Sequence, residues 1–368
     1  MRDLIATTPS GLYCAAGGFH IDPWRPVERA VTTHAHSDHA RAGSGWYLAS
    51  RTGAMLLRAR LGASLPVEGI AWGEQRRIGE VKVSLHPAGH VLGSAQVRVE
   101  HRGEVWVASG DYKRASDPTA EAFEVVKCDT FITESTFGLP IYRWRPPEEI
   151  AEAINGWWRE SAELGRVCLI TAYSLGKAQR VLSMLRPREV GGEGGGTILV
   201  HGAVEKMVGV YREVGIALPE VGHADKATVK AARSKGPVMV IAPPSAAGSA
   251  WMSSLGETEV GFASGWMAVR GARRRSNVDR GFVLSDHVDW PGVLETIAAT
   301  GATRVGVTHG STGPLVRFLK ERGAGRGPLE AFEIKTRLVG EEAGPVKSAG
   351  GEDGARADAS GDEPEGHE

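Results

Sequence analysis

The chain has few cysteines, no long apolar run and no evident leader segment. Cys14, Cys128 and Cys168 are the three cysteines among 368 residues, and they lie too far apart to form a paired motif. This spacing argues against a disulfide framework and is typical of a reducing cytoplasm. No apolar run approaches the roughly 20 residues that a membrane span needs. The N-terminus also lacks a basic segment followed by an apolar core. We therefore expect a cytoplasmic protein that has no membrane partner.

The charge is nearly balanced overall but divided along the chain. The formal net charge is −1, yet residues 341–368 carry nine acidic and two basic side chains, which leaves an excess of six positive charges on residues 1–340. A basic body suits a polyanionic substrate, although a solvated surface of mixed charge also explains so modest an excess. The acidic tail has almost no large apolar side chains, and we expect it to be disordered.

The length allows two domains, and the middle of the chain alternates between apolar and amphipathic segments. Strands are expected at 167–172, 197–200 and 238–242, with helices between them, which predicts a parallel sheet covered by helices. The GGEGGG run at 191–196 lacks the ending of a phosphate-binding loop and is interpreted as a surface connection. A further strand is expected at 282–285.

The strongest motif is Thr33-His34-Ala35-His36-Ser37-Asp38-His39, which follows an expected strand. In extended chain, His34 and His36 point the same way and can reach one ion. Where the chain turns, Asp38 and His39 can face a second ion. This donor set suits zinc and leaves manganese or iron open. A polar surface loop is the alternative, but three histidines and one aspartate in six residues are difficult to explain without a metal.

Further ligand candidates lie beyond later expected strands. They are His90 in Ala88-Gly89-His90, Asp111 in Ser109-Gly110-Asp111 and His309 in Thr308-His309-Gly310. Taken singly, each of them is also explained as a capping or loop residue. Together with the first motif they predict a site for two ions, with one carboxylate able to bridge them.

This ordered set of motifs resembles the metallo-β-lactamase superfamily. Within it, residues 130–310 resemble the β-CASP nucleases, whose characteristic acidic residue matches Glu134 and whose later histidines match His287 and His309. The resemblance covers about residues 4–338. It implies an α/β fold, a metallo-β-lactamase αββα sandwich with an inserted β-CASP α/β domain. We expect the sandwich over 1–138 and 282–340, the inserted domain over 139–281 and the tail over 341–368.

More narrowly, Ser264-Gly265-Trp266 and the SDHVDW segment at 285–290 resemble the bacterial ligase-associated DNA exonucleases, a group also described as mRNA 3′-end processing factors. The resemblance implies single-stranded DNA as substrate, a role in DNA repair, and an ATP-dependent DNA ligase and a helicase as partners. Histidine at position 309 is instead typical of RNA-processing relatives, so an exo- or endoribonuclease stays open. A small-molecule metallo-hydrolase and a non-catalytic binding subunit are further alternatives.

The resemblance also implies a role for each motif residue. Two zinc ions, or manganese in their place, are expected with a hydroxide bridging them as the nucleophile. Glu134 is expected to orient His287 as the acid that protonates the departing oxygen, with Asp38 as the third catalytic residue. Asp22 is expected to support the metal loop without ligating. One ion is assigned to His34, His36 and His90, the other to Asp38, His39 and His309, and Asp111 is assigned as the bridge.

Residues that hold the substrate are predicted from charge and position. Lys177 and Arg180 lie near the start of an expected helix, where backbone N–H groups can also receive phosphate. The densest basic run is Arg273, Arg274 and Arg275, which fits phosphate contact and equally fits a solvated loop. Trp266 is a candidate for stacking on a base, although a core position is the common alternative.

Overall fold

The computed structural model describes residues 3–335 except 276, 277 and 326, so the expected acidic tail lies outside the described residues. The strands are β1 (Ala6–Thr8), β2 (Gly11–Cys14), β3 (Phe19–Ile21), β4 (Arg29–Val31), β5 (Trp46–Ser50), β6 (Val67–Ile70), β7 (Arg76–Ile78), β8 (Val81–Pro87), β9 (Ala95–His101), β10 (Glu104–Ala108), β11 (Thr130–Glu134), β12 (Val167–Thr171), β13 (Thr197–Val200), β14 (Gly222–His223), β15 (Val238–Ala242), β16 (Thr258–Ala263), β17 (Arg280–Phe282), β18 (Arg304–Thr308) and β19 (Glu330–Glu333).

Ten α-helices fall within the described ranges, and none of them is long and apolar enough to cross a membrane. They are α1 (Arg51–Leu61), α2 (Pro147–Glu163), α3 (Lys177–Met184), α4 (Pro187–Gly191), α5 (Gly202–Glu213), α6 (Lys226–Arg233), α7 (Ala250–Ser254), α8 (Arg270–Arg275), α9 (Trp290–Thr300) and α10 (Thr312–Glu321).

Two sheets form the sandwich that the sequence predicts. The first has the order β1-β2-β3-β4-β5-β6, and the second has the order β19-β18-β11-β10-β9-β8-β7. Leu48 of the first sheet and Val83, Val97 and Trp106 of the second are fully buried in one apolar cluster between them. Helix α1 packs on the outer face of the first sheet, and α9 and α10 pack on the outer face of the second. The layers are therefore α, β, β and α.

A third sheet, with the order β14-β13-β15-β12-β16-β17, is parallel throughout. Helix α2 begins at Pro147, carries two glutamates in its first turn, and buries Ile154 and Trp158 against this sheet. The whole third sheet intervenes along the chain between β11 and β18, which are hydrogen-bonded neighbours in the second sheet. This α/β unit is thus an insertion, and residues 139–281 stay its proposed extent.

One expected strand is placed differently. The chain is extended at β17, Arg280–Phe282, and residues 283–285 lie outside any strand. The apolar residues Val283 and Leu284 suggested a strand, but the following Ser285 binds Arg180 and the backbone of His287 instead of pairing with a sheet. The strand prediction at 282–285 was therefore wrong beyond Phe282.

Candidate metal centre

Five strand ends place the predicted ligands and Glu134 at one edge of the sandwich. The loop with three histidines follows β4, His90 follows β8, Asp111 follows β10, Glu134 ends β11, and His309 follows β18. Strands β10, β11 and β18 are parallel, so their carboxyl ends meet, with Glu134 opposite Thr308. Parallel pairing therefore brings together residues that are far apart in the sequence.

The first group of donor atoms comes from His34, His36, His90 and Asp111, all within 4.8 Å of one another. His36 Nε2 donates to the carbonyl of Leu175 at 3.1 Å, and His90 Nδ1 donates to the carbonyl of Asp286 at 2.8 Å. Since a carbonyl only accepts, these bonds fix both tautomers and leave His36 Nδ1 and His90 Nε2 as lone-pair donors, 3.2 Å apart.

The second group consists of His39, Asp111 and His309. His39 Nε2 lies 3.3 Å from Asp111 Oδ2 and 4.0 Å from Asp38 Oδ2. Asp111 belongs to both groups, which is the position predicted for a bridging carboxylate. His309 has a φ of 56°, an uncommon value for a residue with a side chain.

Asp22 supports this group from behind. Its carboxylate accepts from His39 Nδ1 at 2.7 Å, from Thr33 N at 2.8 Å and from Thr33 Oγ1 at 2.5 Å. The bond to Nδ1 turns His39 Nε2 towards Asp111. Asp22 itself has a φ of 45°. Its contacts are those of a residue that orients a ligand and anchors the loop.

The donor set fits divalent metal ions. His34 Nε2 and Asp111 Oδ1 are buried and have no hydrogen bond among the described residues. Buried polar atoms that lack a hydrogen bond or a bound ligand destabilise the folded protein. Imidazole nitrogens grouped around a shared carboxylate are the donors that zinc and similar ions prefer. His34, His36, His90 and Asp111 would hold one ion, and His39, His309, Asp111 and the nearby Asp38 the other.

The electrostatics agree with that use. Burial lowers the pKa of His34 and of His90 well below the usual histidine value, and burial lowers that of His309 to about 4. Burial opposes the charge on His39 as well, but the carboxylates, Asp111 foremost, raise its pKa well above the usual value. Burial opposes the charge on Asp111, yet His39 and other imidazoles lower its pKa. Three histidines are thus neutral and Asp111 is ionised, the states in which these groups bind metal, whereas His39 would have to release a proton when it binds an ion.

A buried carboxylate–imidazole pair adjoins Asp111. Glu134 Oε2 accepts from His287 Nδ1 at 2.8 Å, and Glu134 Oε1 accepts from the backbone N–H of Tyr112 at 2.7 Å. Burial raises the pKa of Glu134. With Nδ1 held by Glu134, the Nε2 of His287 is directed away from that carboxylate. His287 and Asp111 line the same cavity of about 220 Å³, which also includes His36, Asp38 and Tyr173.

The residues predicted to contact the substrate differ in how exposed they are. Lys177 and Arg180 are buried, and their cationic groups face carboxylates inside the protein. Arg274 of α8 is exposed, while the side chains of Arg273 and Arg275 lie outside the described residues. Trp266 is half-buried and packs on Phe137, with ring centroids 4.9 Å apart.

Sequence reasoning missed the residue beneath His90. Asp286 supplies the carbonyl that His90 contacts, and its side chain meets the two cations that were predicted to bind phosphate. Its position directly before His287 was the one signal available, because the cations that surround it are distant in the sequence.

No family model matches the chain, but curated relatives do. It is 32% identical over 327 residues to a probable DNA ligase of Opitutus terrae, a match that covers 88% of this chain and 30% of that one. It is 31% identical over 184 residues to cleavage and polyadenylation specificity factor 73 of Drosophila melanogaster, covering 45% of this chain and 27% of that one. Endoribonuclease ysh-1 of Neurospora crassa is 36% identical over 124 residues, 32% of this chain and 14% of its own. The chain thus spans less than a third of the length of each relative.

Among solved structures, a protein of unknown function from Enterococcus faecalis V583 superposes with a TM-score of 0.53. The match covers 84% of this chain and 79% of the other, at 12% sequence identity. At that identity the similarity concerns the fold alone.

Proposed function

The chain belongs to the β-CASP group of the metallo-β-lactamase superfamily, and from that premise we propose that it is a zinc-dependent nuclease, specifically a DNA exonuclease of DNA repair or processing. The observation that carries the proposal is the sharing of Asp111. Its carboxylate belongs to both groups of candidate ligands and lies within 4.8 Å of donor atoms of the Glu134–His287 pair. One carboxylate thus connects two candidate ion sites to a candidate proton donor.

In phosphodiester hydrolysis, several residues of the chain would orient the ligands of the ions. Two divalent ions, when bound, supply stabilisation of the charge that develops on the phosphoryl oxygens and make water nucleophilic near neutral pH. Asp22 keeps the ring of His39 in place, and the Leu175 carbonyl does the same for His36. These bonds set the geometry of the centre before substrate arrives, which is the condition for efficient catalysis.

His287 is positioned to protonate the departing oxygen. Glu134 holds Nδ1–H, so the proton to be transferred is the one at Nε2, and the Glu134 carboxylate stabilises the positive charge on the ring before the transfer. The substrate would enter the cleft between the His36–Asp38 loop and the 173–175 loop of the inserted unit. Arg60 lies on this cleft as well and can attract a phosphate.

The choice of DNA is supported by the Opitutus terrae protein. A segment of that chain, named a probable DNA ligase, matches 88% of the present chain. Two activities joined in one polypeptide commonly share a substrate, and a nuclease that trims DNA ends supplies a ligase with joinable ones. An ATP-dependent DNA ligase, and by the family resemblance a helicase, are the partners we propose.

An RNA substrate is the second candidate, and specific relatives favour it. One is a cleavage and polyadenylation specificity factor, matched over 184 residues at 31% identity. Another is an endoribonuclease, matched over 124 residues at 36% identity. The matched segment does not by itself discriminate between the sugars.

The direct test is cleavage of matched single-stranded DNA and RNA of one sequence, each end-labelled, by purified protein with zinc or manganese. We expect DNA degradation, and loss of at least a hundredfold in rate for Asp38→Ala. Glu28→Ala, an exposed change outside the cleft, serves as the matched control and should cleave like the unmodified protein. Cleavage of RNA without cleavage of DNA would replace the first candidate with the second, and cleavage of neither would remove both.

A further inference from the structure

A cluster of buried charges lies directly behind the candidate metal centre. None of its side chains is more than 6% exposed. Two are carboxylates and three are cations, so charge neutrality is not reached within the cluster. Its members are Lys113, Asp117, Lys177, Arg180 and Asp286.

Asp286 receives most of the contacts. Arg180 Nη1 donates to its Oδ1 at 2.9 Å, Lys177 Nζ lies 3.7 Å from Oδ2, and Lys113 Nζ lies 3.9 Å from Oδ1. Asp117 is the second carboxylate, in contact with Lys113 and 3.3 Å from Arg180 Nε. Three largely buried cations therefore depend on two carboxylates, and an unpaired buried charge is expensive.

The cluster joins three separate parts of the chain. Lys113 and Asp117 follow β10 and lie just beyond Asp111. Lys177 and Arg180 belong to α3 of the inserted unit, and Asp286 lies on the segment that returns to the sandwich. The position of Asp286 is thus determined jointly by the sandwich and the insertion.

The same segment orients two residues of the centre, one through a backbone carbonyl and one through a side-chain hydroxyl. The carbonyl of Asp286 accepts from His90 Nδ1 at 2.8 Å, and the Oγ of Ser285 accepts from the backbone N–H of His287 at 3.1 Å. Arg180 Nη1 also donates to the carbonyl of Ser285 at 2.5 Å. A displacement of Asp286 would therefore move the group that holds the His90 ring and the residue that precedes His287.

We propose that Asp286 is a positioning residue, whose side-chain contacts with the cations of α3 hold the backbone that orients His90, so that the inserted unit sets the affinity of the centre for metal. The inference rests on the proposed function, since it presumes that the centre binds metal. It also gives Lys177 and Arg180 a structural role beside the predicted phosphate contact.

The test is Asp286→Asn, which keeps the shape of the side chain and removes its charge. We expect the affinity for zinc, measured by competition with a chromophoric chelator, to fall tenfold to a hundredfold. We also expect the visible absorption of the cobalt(II)-substituted protein to change, because that spectrum reports the arrangement of the ligands and not the stability of the fold.

Glu259→Gln is the matched control. Glu259 belongs to the inserted unit and, like Asp286, is a carboxylate with several partners: it accepts from Trp157 Nε1 at 2.8 Å and from Ser161 Oγ, and it pairs with Arg166 at 3.0 Å. It contacts none of the candidate ligands. We expect this variant to lose stability and to keep the zinc affinity and the cobalt spectrum of the unmodified protein.

Lys177→Gln is the second variant, for use if Asp286→Asn does not fold, and it should weaken zinc binding severalfold. Folded Asp286→Asn, or Lys177→Gln in its place, with unchanged affinity and an unchanged cobalt spectrum would overturn the inference alone. An unmodified protein that binds no metal would overturn the proposed function together with it.

Discussion

At the scale of single residues, we expect the pair Glu134 and His287 to act in catalysis without binding metal. Each candidate ligand is expected to affect both properties, whereas this pair is expected to act on the proton of the departing oxygen. Both carboxylate oxygens of Glu134 already accept a hydrogen bond, one from His287 and the other from the backbone N–H of Tyr112. A change here should therefore leave the metal in place.

Glu134→Gln should lower kcat by about 10² to 10⁴, the range of general acid catalysis, with metal content unchanged. The amide keeps the size of the side chain but no longer stabilises positive charge on the ring of His287. The measurement is steady-state cleavage alongside elemental analysis of the same sample.

The chain offers a control pair of the same residue types, which is more exposed. His86 Nδ1 and Glu124 Oε1 form a similar pair, 3.0 Å apart, outside the candidate centre. Glu124→Gln should leave kcat within twofold. A Glu134→Gln protein that is as active as this control would remove His287 from the mechanism that we propose.

At the scale of structural elements, the loops that follow the strands determine how precisely the residues of the site are positioned. Gly110 links β10 to Asp111 with a φ of 57°, and a Cβ at this position would lie 2.7 Å from Cβ of Thr33. Thr33 cannot yield easily because it donates to Asp22 through both its backbone and its hydroxyl. The sharp turn and the close approach both require glycine.

Gly110→Ala should cost about 2–4 kcal/mol of unfolding free energy, from the left-handed backbone and the overpacking together. Zinc affinity should fall as well, because Thr33 and Asp22 support His39. Gly103, in the turn before β10, also has a positive φ of 87° but has nothing within 4 Å of a Cβ.

Gly103→Ala should accordingly cost about 1–2 kcal/mol and leave zinc affinity unchanged. Urea unfolding and chelator competition on the two variants supply both quantities. Equal losses of stability and no loss of affinity in Gly110→Ala would show that this turn does not position the centre.

Several elements could be predicted from the sequence because their local pattern is strong. Helix α2 combines a proline start, two glutamates and buried residues at helical spacing, and β12, β13 and β15 are short apolar runs. Strands β1 to β3 could not be predicted, because each has only three or four residues. Strand β9 alternates between apolar and polar residues, so its sequence does carry the pattern of a strand.

At the scale of the whole molecule, the sheet topology determines contacts that could not be predicted from the sequence. The motifs predicted which side chains belong to the centre, since each follows a strand in a recognisable order. Which atoms face each other depends on the parallel pairing of β10, β11 and β18. The charge cluster around Asp286 could not be predicted, because Lys113, Lys177 and Asp286 meet only once the insertion has folded onto the sandwich.

We propose that one shared carboxylate, Asp111, joins two metal sites in a single chain. Native mass spectrometry with elemental analysis of the purified protein counts the ions directly. We expect two zinc ions per chain, and fewer than two in Asp111→Ala, because each group of donors then loses a ligand. A protein that holds no ion, or a single ion that Asp111→Ala does not release, would contradict it.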